Sequence, residues 1–330
     1  MHWLVNLYLA VRVWALNFTL LLPLVGAAGA QGELPLGLAA LLACVALAFH
    51  VFAYVLNDVA DLWVDRSEPL RADSPLVRGI LQRRQAIWLA LVQPPLAFGV
   101  ALLGGAAAAA LCMLALAFAA MAGYDLYGKR CAWPLVTDVL QALGWCALLL
   151  MGALWHGPLE SPALGWLTAY VFIYVLLANG FHGALRDLAN DFAQGARTTA
   201  IWLGARPGAG DALTIPGRLL AYALALQVGQ LLCVLAVLRA IPSMAGSAWR
   251  GVPVALCLAA VALLPLVATR LARSRRQLIV LCLAQVLLGM AVMPMLYVPA
   301  LNPAGAAALL ASFALPVLAM YFHNGTHWRA

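Results

Sequence analysis

LGLAALLACVALAFHVFAYVLNDVADLWVDR, residues 36–66, is apolar from 36 to 56 and then places three aspartates inside eight residues. The apolar part has the length of a bilayer-crossing helix, about 20 residues. A helix continued past Asn57 sets Asn57 and Asp61 four apart, Asp58 and Asp61 three apart, and Asp61 and Asp65 four apart. All four side chains then share one helical face. Like charges on one face repel unless a cation sits in front of them. Carboxylate oxygens are hard ligands suited to Mg2+.

The whole chain resembles that first stretch. It is 65% hydrophobic and 9% charged over 330 residues, whereas soluble chains are about 45–50% apolar and about 25% charged. Apolar runs recur at 13–31, 36–56, 86–104, 106–123, 135–154, 164–182, 218–238, 252–269, 278–296 and 304–322. They do not alternate, which excludes a transmembrane β-barrel. The expected fold is all-α: one polytopic transmembrane helical bundle over residues 1–330, with nine or ten membrane helices. Cytoplasmic-side loops would cap the site. The apolar N-terminus ending in GAAGA lacks a basic start and is read as the first membrane helix rather than a cleaved signal. The seven cysteines are scattered without a CxxC pair and read as small buried hydrophobes.

Charge orients the bundle. Seventeen of the 19 basic residues fall at the termini or after the second, fourth, sixth and eighth runs; Arg239 and Arg250 are the exceptions. The positive-inside rule makes the basic side cytoplasmic, consistent with a bacterial inner membrane. This asymmetry accounts for the net charge of +7 without nucleic acid. It favours anionic lipid headgroups and anionic substrates. Ten of the 12 acids lie on the same side; Glu33 and Glu160 are on the other.

Two further stretches carry chemistry. In RDLANDFAQGARTTA, residues 186–200, Asp187 and Asp191 are again four apart, and Arg197 follows Gly195. In YDLYGKR, residues 124–130, Lys129 and Arg130 are cations and Tyr124 and Tyr127 carry hydroxyls. Arg66, Arg71 and Arg78 follow the first cluster. Two acidic helix ends on one side of a membrane suit a diphosphate gripped through Mg2+, its hydrocarbon tail in the bundle. Withdrawing charge onto the diphosphate weakens its C–O bond. Aromatics near both sites, Phe52, Tyr54, Trp63, Tyr170, Phe172, Tyr174 and Phe181, offer faces to an allylic cation. Asp138, just inside the fifth run, is an intramembrane acid that can pair with Lys129 or Arg130. His50 lies seven residues before Asn57 and points into the bundle, and His182, one turn before Arg186, is a base for an acceptor or carbocation proton.

NDVADLWVDR resembles the NDxxDxxxD motif of the UbiA superfamily of intramembrane prenyltransferases. DLAND followed by GARTTA resembles that family's second aspartate motif, and YDLYGKR its Tyr/Lys loop, in the same order over roughly residues 10–215. The resemblance implies that Asn57, Asp58, Asp61, Asp65, Asp187 and Asp191 bind Mg2+ and diphosphate. It implies that Lys129 contacts the diphosphate and that Arg12 helps place an acceptor. Three features depart from the family pattern. Ser74 precedes Pro75-Leu76 where a basic residue is usual, leaving phosphate contacts there to Arg71 or Arg78. Asp125 occupies the usual tyrosine position, between Tyr124 and Tyr127. Ten runs stand against the family's nine helices.

The expected function is Mg2+-dependent transfer of a prenyl group from an allylic prenyl diphosphate to a small, aromatic acceptor. A terpene cyclase of the same superfamily would use the same aspartates. Transfer to a polyprenyl phosphate is a third possibility within the superfamily. A transporter would place its ionisable residues at the midplane on broken helices, not at helix ends on one side.

Overall fold

The computed structural model describes residues 2–157, 161–210, 212–241, 246–269 and 275–327. Glu160, Asp211, Arg270, Arg273 and Arg329, counted above, lie outside these. The helices are α1 His2–Ala10, α2 Leu16–Gln31, α3 Leu36–Asp65, α4 Arg83–Leu91, α5 Gln93–Leu103, α6 Ala108–Tyr127 and α7 Pro134–Ala153. There follow α8 Pro162–Leu177, a π-helical turn Ala178–Gly183, α9 Ala184–Arg186, α10 Leu188–Ala193 and α11 Thr199–Trp202. The last are α12 Gly217–Ala240, α13 Gly251–Thr269, α14 Arg275–Tyr297 and α15 Pro303–His327. The only strands among the described residues are the two-residue pair β1 Arg206–Pro207 and β2 Leu213–Thr214, antiparallel.

Among the described residues, nine helical segments are long and apolar enough to cross a membrane, from Leu4–Gln31 to Arg275–Ala300. The protein is an integral membrane protein of the all-α class. The division at Gly104-Gly105 separates two such spans, because Gly105 turns the chain with a left-handed φ of 73°. The tenth apolar run starts α15, whose stretch Pro303–Ala319 falls short of the other nine in length. The first span starts earlier than its apolar run, at Leu4, and is interrupted around Arg12.

By contact the chain forms two compact units: residues 1–126, 144–160 and 297–330, and residues 127–143 and 161–296. In the first unit α3 packs against α2, α4 and α5, and α2 against α15. An aromatic cluster fills the unit's interior: Phe49 lies 5.3 Å from Phe118 and 5.4 Å from Trp145, and Phe18 lies 5.0 Å from Trp145. Lipid tails are as apolar as leucine, so helices associate in membranes through close backbone approach. Here a Cβ on Gly152 would collide with the backbone of Pro23 in α2, and one on Gly26 with the Leu149 carbonyl in α7. Gly152→Val is therefore expected to cost about 2–3 kcal/mol by overpacking. A lowered thermal midpoint in detergent would show it, while Gly165→Ala, where a Cβ meets nothing within 4 Å, leaves the midpoint unchanged.

In the second unit α12 packs along α8 and against α13. Polar side chains tie its apolar helices together. Tyr170 Oη donates to the Gly289 carbonyl at 2.6 Å and Tyr174 Oη to that of Val286 at 3.1 Å. Gly289 makes room, since a Cβ there would sit 3.0 Å from the Tyr174 ring. The Ala260 carbonyl accepts from Gln285 Nε2 at 2.8 Å and Gln227 Nε2 at 3.3 Å.

Candidate active site

The first aspartate cluster belongs to the first unit. Helix α3 does continue past Asn57, to Asp65. Asp58, Asp61 and Asp65 are all buried there. Burying a carboxylate is costly unless a partner neutralises or hydrogen-bonds it. Asp58 forms an ion pair with Arg12 and lies 4.0 Å from Arg71, and Asp65 lies 3.6 Å from Arg71. Asn57 Nδ2 donates to Asp61 Oδ2 at 3.4 Å and to Asp125 Oδ1 at 3.3 Å. Asp125, from α6, is 4% exposed. Arg71 is thus brought to the cluster, whereas Arg78 is exposed.

Arg12 reaches Asp58 from a break between α1 and α2. It is the one non-glycine residue with positive φ among the described residues, at 49°. A left-handed backbone costs about 1–2 kcal/mol for an L-residue, so something must hold it. His50 Nε2 donates to the Val11 carbonyl at 2.8 Å and approaches that of Arg12 at 3.3 Å. Carbonyls only accept, so Nε2 carries the proton and Nδ1 accepts from Thr19 Oγ1 at 2.9 Å. The Arg12 guanidinium lies 5.3 Å from the Tyr54 ring centroid. His50, Tyr54 and Asp58 stand one turn apart on α3 and hold the backbone, the stem end and the charge of the same arginine. Arg12, which the resemblance links to acceptor placement, forms an ion pair with Asp58 in the structure.

The second motif belongs to the second unit. Spacing alone puts Asp187 and Asp191 on one helical face. Asp187 stands at the N-terminal cap of α10, after the short α9 ends, and the Asp191 N–H donates to the Asp187 carbonyl at 2.9 Å, so the four-residue helical relation between the two acids is kept. Asp187 receives a bidentate contact from Arg186 at 2.8 and 2.7 Å. Asp191 is 2% exposed and receives Lys129 Nζ at 2.9 Å. Burial pushes the Asp191 carboxyl above the usual carboxylate range, and the Lys129 ammonium offsets part of that rise. The backbone N–H of Arg197 donates to the Lys129 carbonyl at 2.8 Å, so the two loops are tied. The side chains of Arg130, Tyr127 and Arg197 are exposed, and Tyr124 is half-buried.

Asp138 pairs with neither Lys129 nor Arg130. Asn179 Nδ2 donates to one of its oxygens at 2.6 Å and Thr199 Oγ1 to the other at 2.5 Å. The acid therefore links the π-helical turn to the start of α11, the segment that follows the second motif. Gly180 permits this, as a Cβ there would lie 3.0 Å from the Asp138 carboxylate. His182, in the same turn, is buried, and its Nε2 bonds Gln285 Oε1 at 3.0 Å. Sequence reasoning missed Asn179 and Thr199, and noted Asp125 only as a departure from the tyrosine pattern.

No three His, Cys, Asp or Glu side chains converge tightly enough for a metal centre among the described residues. The donor set of the first cluster nonetheless fits Mg2+. It is all oxygen, and two buried acids share a single amide nitrogen.

The model of the UbiA prenyltransferase family matches residues 16–277. The chain belongs to that family. Within this family, the curated 4-hydroxybenzoate octaprenyltransferase of Xanthomonas euvesicatoria pv. vesicatoria (strain 85-10) is 29% identical over 150 residues. The matched stretch spans 46% of this chain and about half the relative's length, 48%. Among solved structures, a UbiA homologue from Archaeoglobus fulgidus bound to GPP and Mg2+ superposes with a TM-score of 0.64 at 19% identity, covering 87% of this chain and 99% of that one. The apo structure of a UbiA homologue from Aeropyrum pernix K1 gives 0.61 at 18%, covering 83% and 96%. At these identities the structural likeness speaks for the UbiA fold.

Proposed function

We propose that this UbiA-family protein catalyses Mg2+-dependent transfer of a prenyl group from an allylic prenyl diphosphate to a small aromatic acceptor. The observation that carries the reading is the burial of Asp58, Asp61 and Asp65 together at the polar end of an otherwise apolar membrane helix. Family membership, the GPP and Mg2+ of the A. fulgidus homologue, and the hydroxybenzoate acceptor named for the Xanthomonas relative support it. The excess of arginine beside these acids supports a cytoplasmic active face in a bacterial inner membrane.

In this reading Asn57, Asp61 and Asp65 of the first motif, and Asp187 and Asp191 of the second, are the residues that would hold Mg2+ and the diphosphate. Mg2+ when bound supplies Lewis-acid neutralisation of the leaving group. Arg71, beside the carboxylates of the first motif, and Lys129, beside Asp191 of the second, are each a cation for diphosphate oxygens as charge develops on them. The allylic C–O bond breaks with its electron pair leaving on the diphosphate. A ring carbon of the acceptor attacks the allylic cation, and the ring proton passes to a base. The apolar helices keep water from the cation. Arg12 acts through Asp58 as a positioning cation. Arg12→Gln is therefore expected to raise the donor KM by about tenfold, the equivalent of one lost charge contact, with the acceptor KM unchanged. Steady-state kinetics with each substrate varied separately checks this.

The reading is tested with purified protein, Mg2+, donors of several chain lengths and a panel of phenolic acceptors. A prenylated phenol identified by mass spectrometry, absent when chelator replaces Mg2+, is the expected result. A cyclic hydrocarbon or alcohol formed from the donor alone would replace the reading with a terpene cyclase.

A further inference from the structure

Asp125 is the acid that the first motif does not contain. It lies in α6, 68 residues from Asn57, at the end of a helix that is otherwise apolar up to Tyr124. Its Oδ1 accepts from the Asn57 amide, the same nitrogen that serves Asp61. That nitrogen has two hydrogens, so each carboxyl takes one and the pair is held face to face across it. The second oxygen, Oδ2, is buried and has no hydrogen-bond partner among the described residues. An unsatisfied buried carboxylate oxygen is costly, and its cost rises with a second carboxylate alongside. The Arg12 guanidinium acts on Asp125 electrostatically, yet it is committed to Asp58. A divalent ion reached by Asp61 and Asp125 would satisfy Oδ2 and cancel the repulsion together.

We propose that Asp125 is a further ligand of the divalent ion held by the first aspartate cluster, making that site one carboxylate richer than its motif. The inference deepens the prenyl-transfer reading and rests on it for the identity of the ion. It assigns to Asp125 a charge that a tyrosine at this position would not carry. The added carboxylate raises the affinity for the ion before any diphosphate arrives.

Binding of Mn2+ to the purified protein in detergent, without diphosphate, is followed by the loss of the free-ion electron paramagnetic signal. Asp125→Asn keeps the acceptor that Asn57 needs and removes only the charge. It is expected to weaken Mn2+ binding by about tenfold or more, while Asp61→Asn does so at least as strongly. Unchanged or tighter binding in Asp125→Asn, with Asp61→Asn weakened, overturns the role of Asp125 and leaves the prenyl-transfer reading standing. Unchanged binding in both overturns the reading and the inference together. A second measurement covers a poorly folding variant. In the wild type Mg2+ raises the thermal midpoint, and Asp125→Glu, which keeps the charge, is expected to retain most of that rise. In Asp125→Asn the metal-free midpoint is expected to rise and the Mg2+ increment to shrink. An increment unchanged in Asp125→Asn makes the residue a structural hydrogen-bond acceptor only.

Discussion

On the proposed function, Asp61→Asn is expected to lower Mg2+-dependent diphosphate release by about 100- to 1,000-fold, the usual loss when one group aimed at developing charge is removed from a water-poor site. The amide still accepts from Asn57, so the helix end keeps its hydrogen bond and loses only the charge. Asp73→Asn, an exposed acid a few residues beyond the cluster, is expected to leave the rate unchanged. Release of diphosphate from a radiolabelled donor, with product formation read in parallel, measures both. Equal rates in Asp61→Asn and the wild type would remove the first cluster from the chemistry.

The second large effect concerns stability. Lys129→Met leaves Asp191 buried without the ammonium that faces it at 2.9 Å. Breaking a buried ion pair from one side costs about 3–5 kcal/mol; the half-buried Lys129 places the expectation at the lower end. Adding Asp191→Asn to Lys129→Met removes the orphaned charge and is expected to recover part of the loss. Thermal unfolding of the two single variants and the double variant, metal-free, gives the coupling between them. Additive losses would mean that the pair contributes nothing as a pair.

Much of this site is legible in the chain itself, for a local reason. Asn57, Asp58, Asp61 and Asp65 follow a long apolar run, and a helix that crosses the apolar layer carries its periodicity into the next turns. That α3 reaches Asp65 is a continuation of the same hydrogen-bond ladder. At Asp187 and Asp191 the four-residue spacing is kept by one helical backbone hydrogen bond, whereas the π-helical turn Ala178–Gly183 and the break ahead of α10 leave no mark in it. What spacing does not give is the partner of each acid, Arg186 for Asp187 and Lys129 for Asp191.

Other features depend on residues far apart in the chain. Arg12 meets Asp58 because His50 and Thr19 stabilise a left-handed residue at a helix break, and nothing in the apolar run 13–31 signals that break. Asp138 reads as a partner for nearby cations, yet its partners are Asn179 and Thr199, 41 and 61 residues away in the chain.

The sequence alone determined the membrane character, the helical class and the two acidic stretches, because hydropathy and helical period act over one or two turns and need no partner. Only the tertiary structure decided which charge each aspartate faces, and that Asp125 joins Asp61 through one amide. In an apolar interior a buried carboxylate takes whichever donor the packing of other helices delivers, and that delivery is not encoded at the acid's own position.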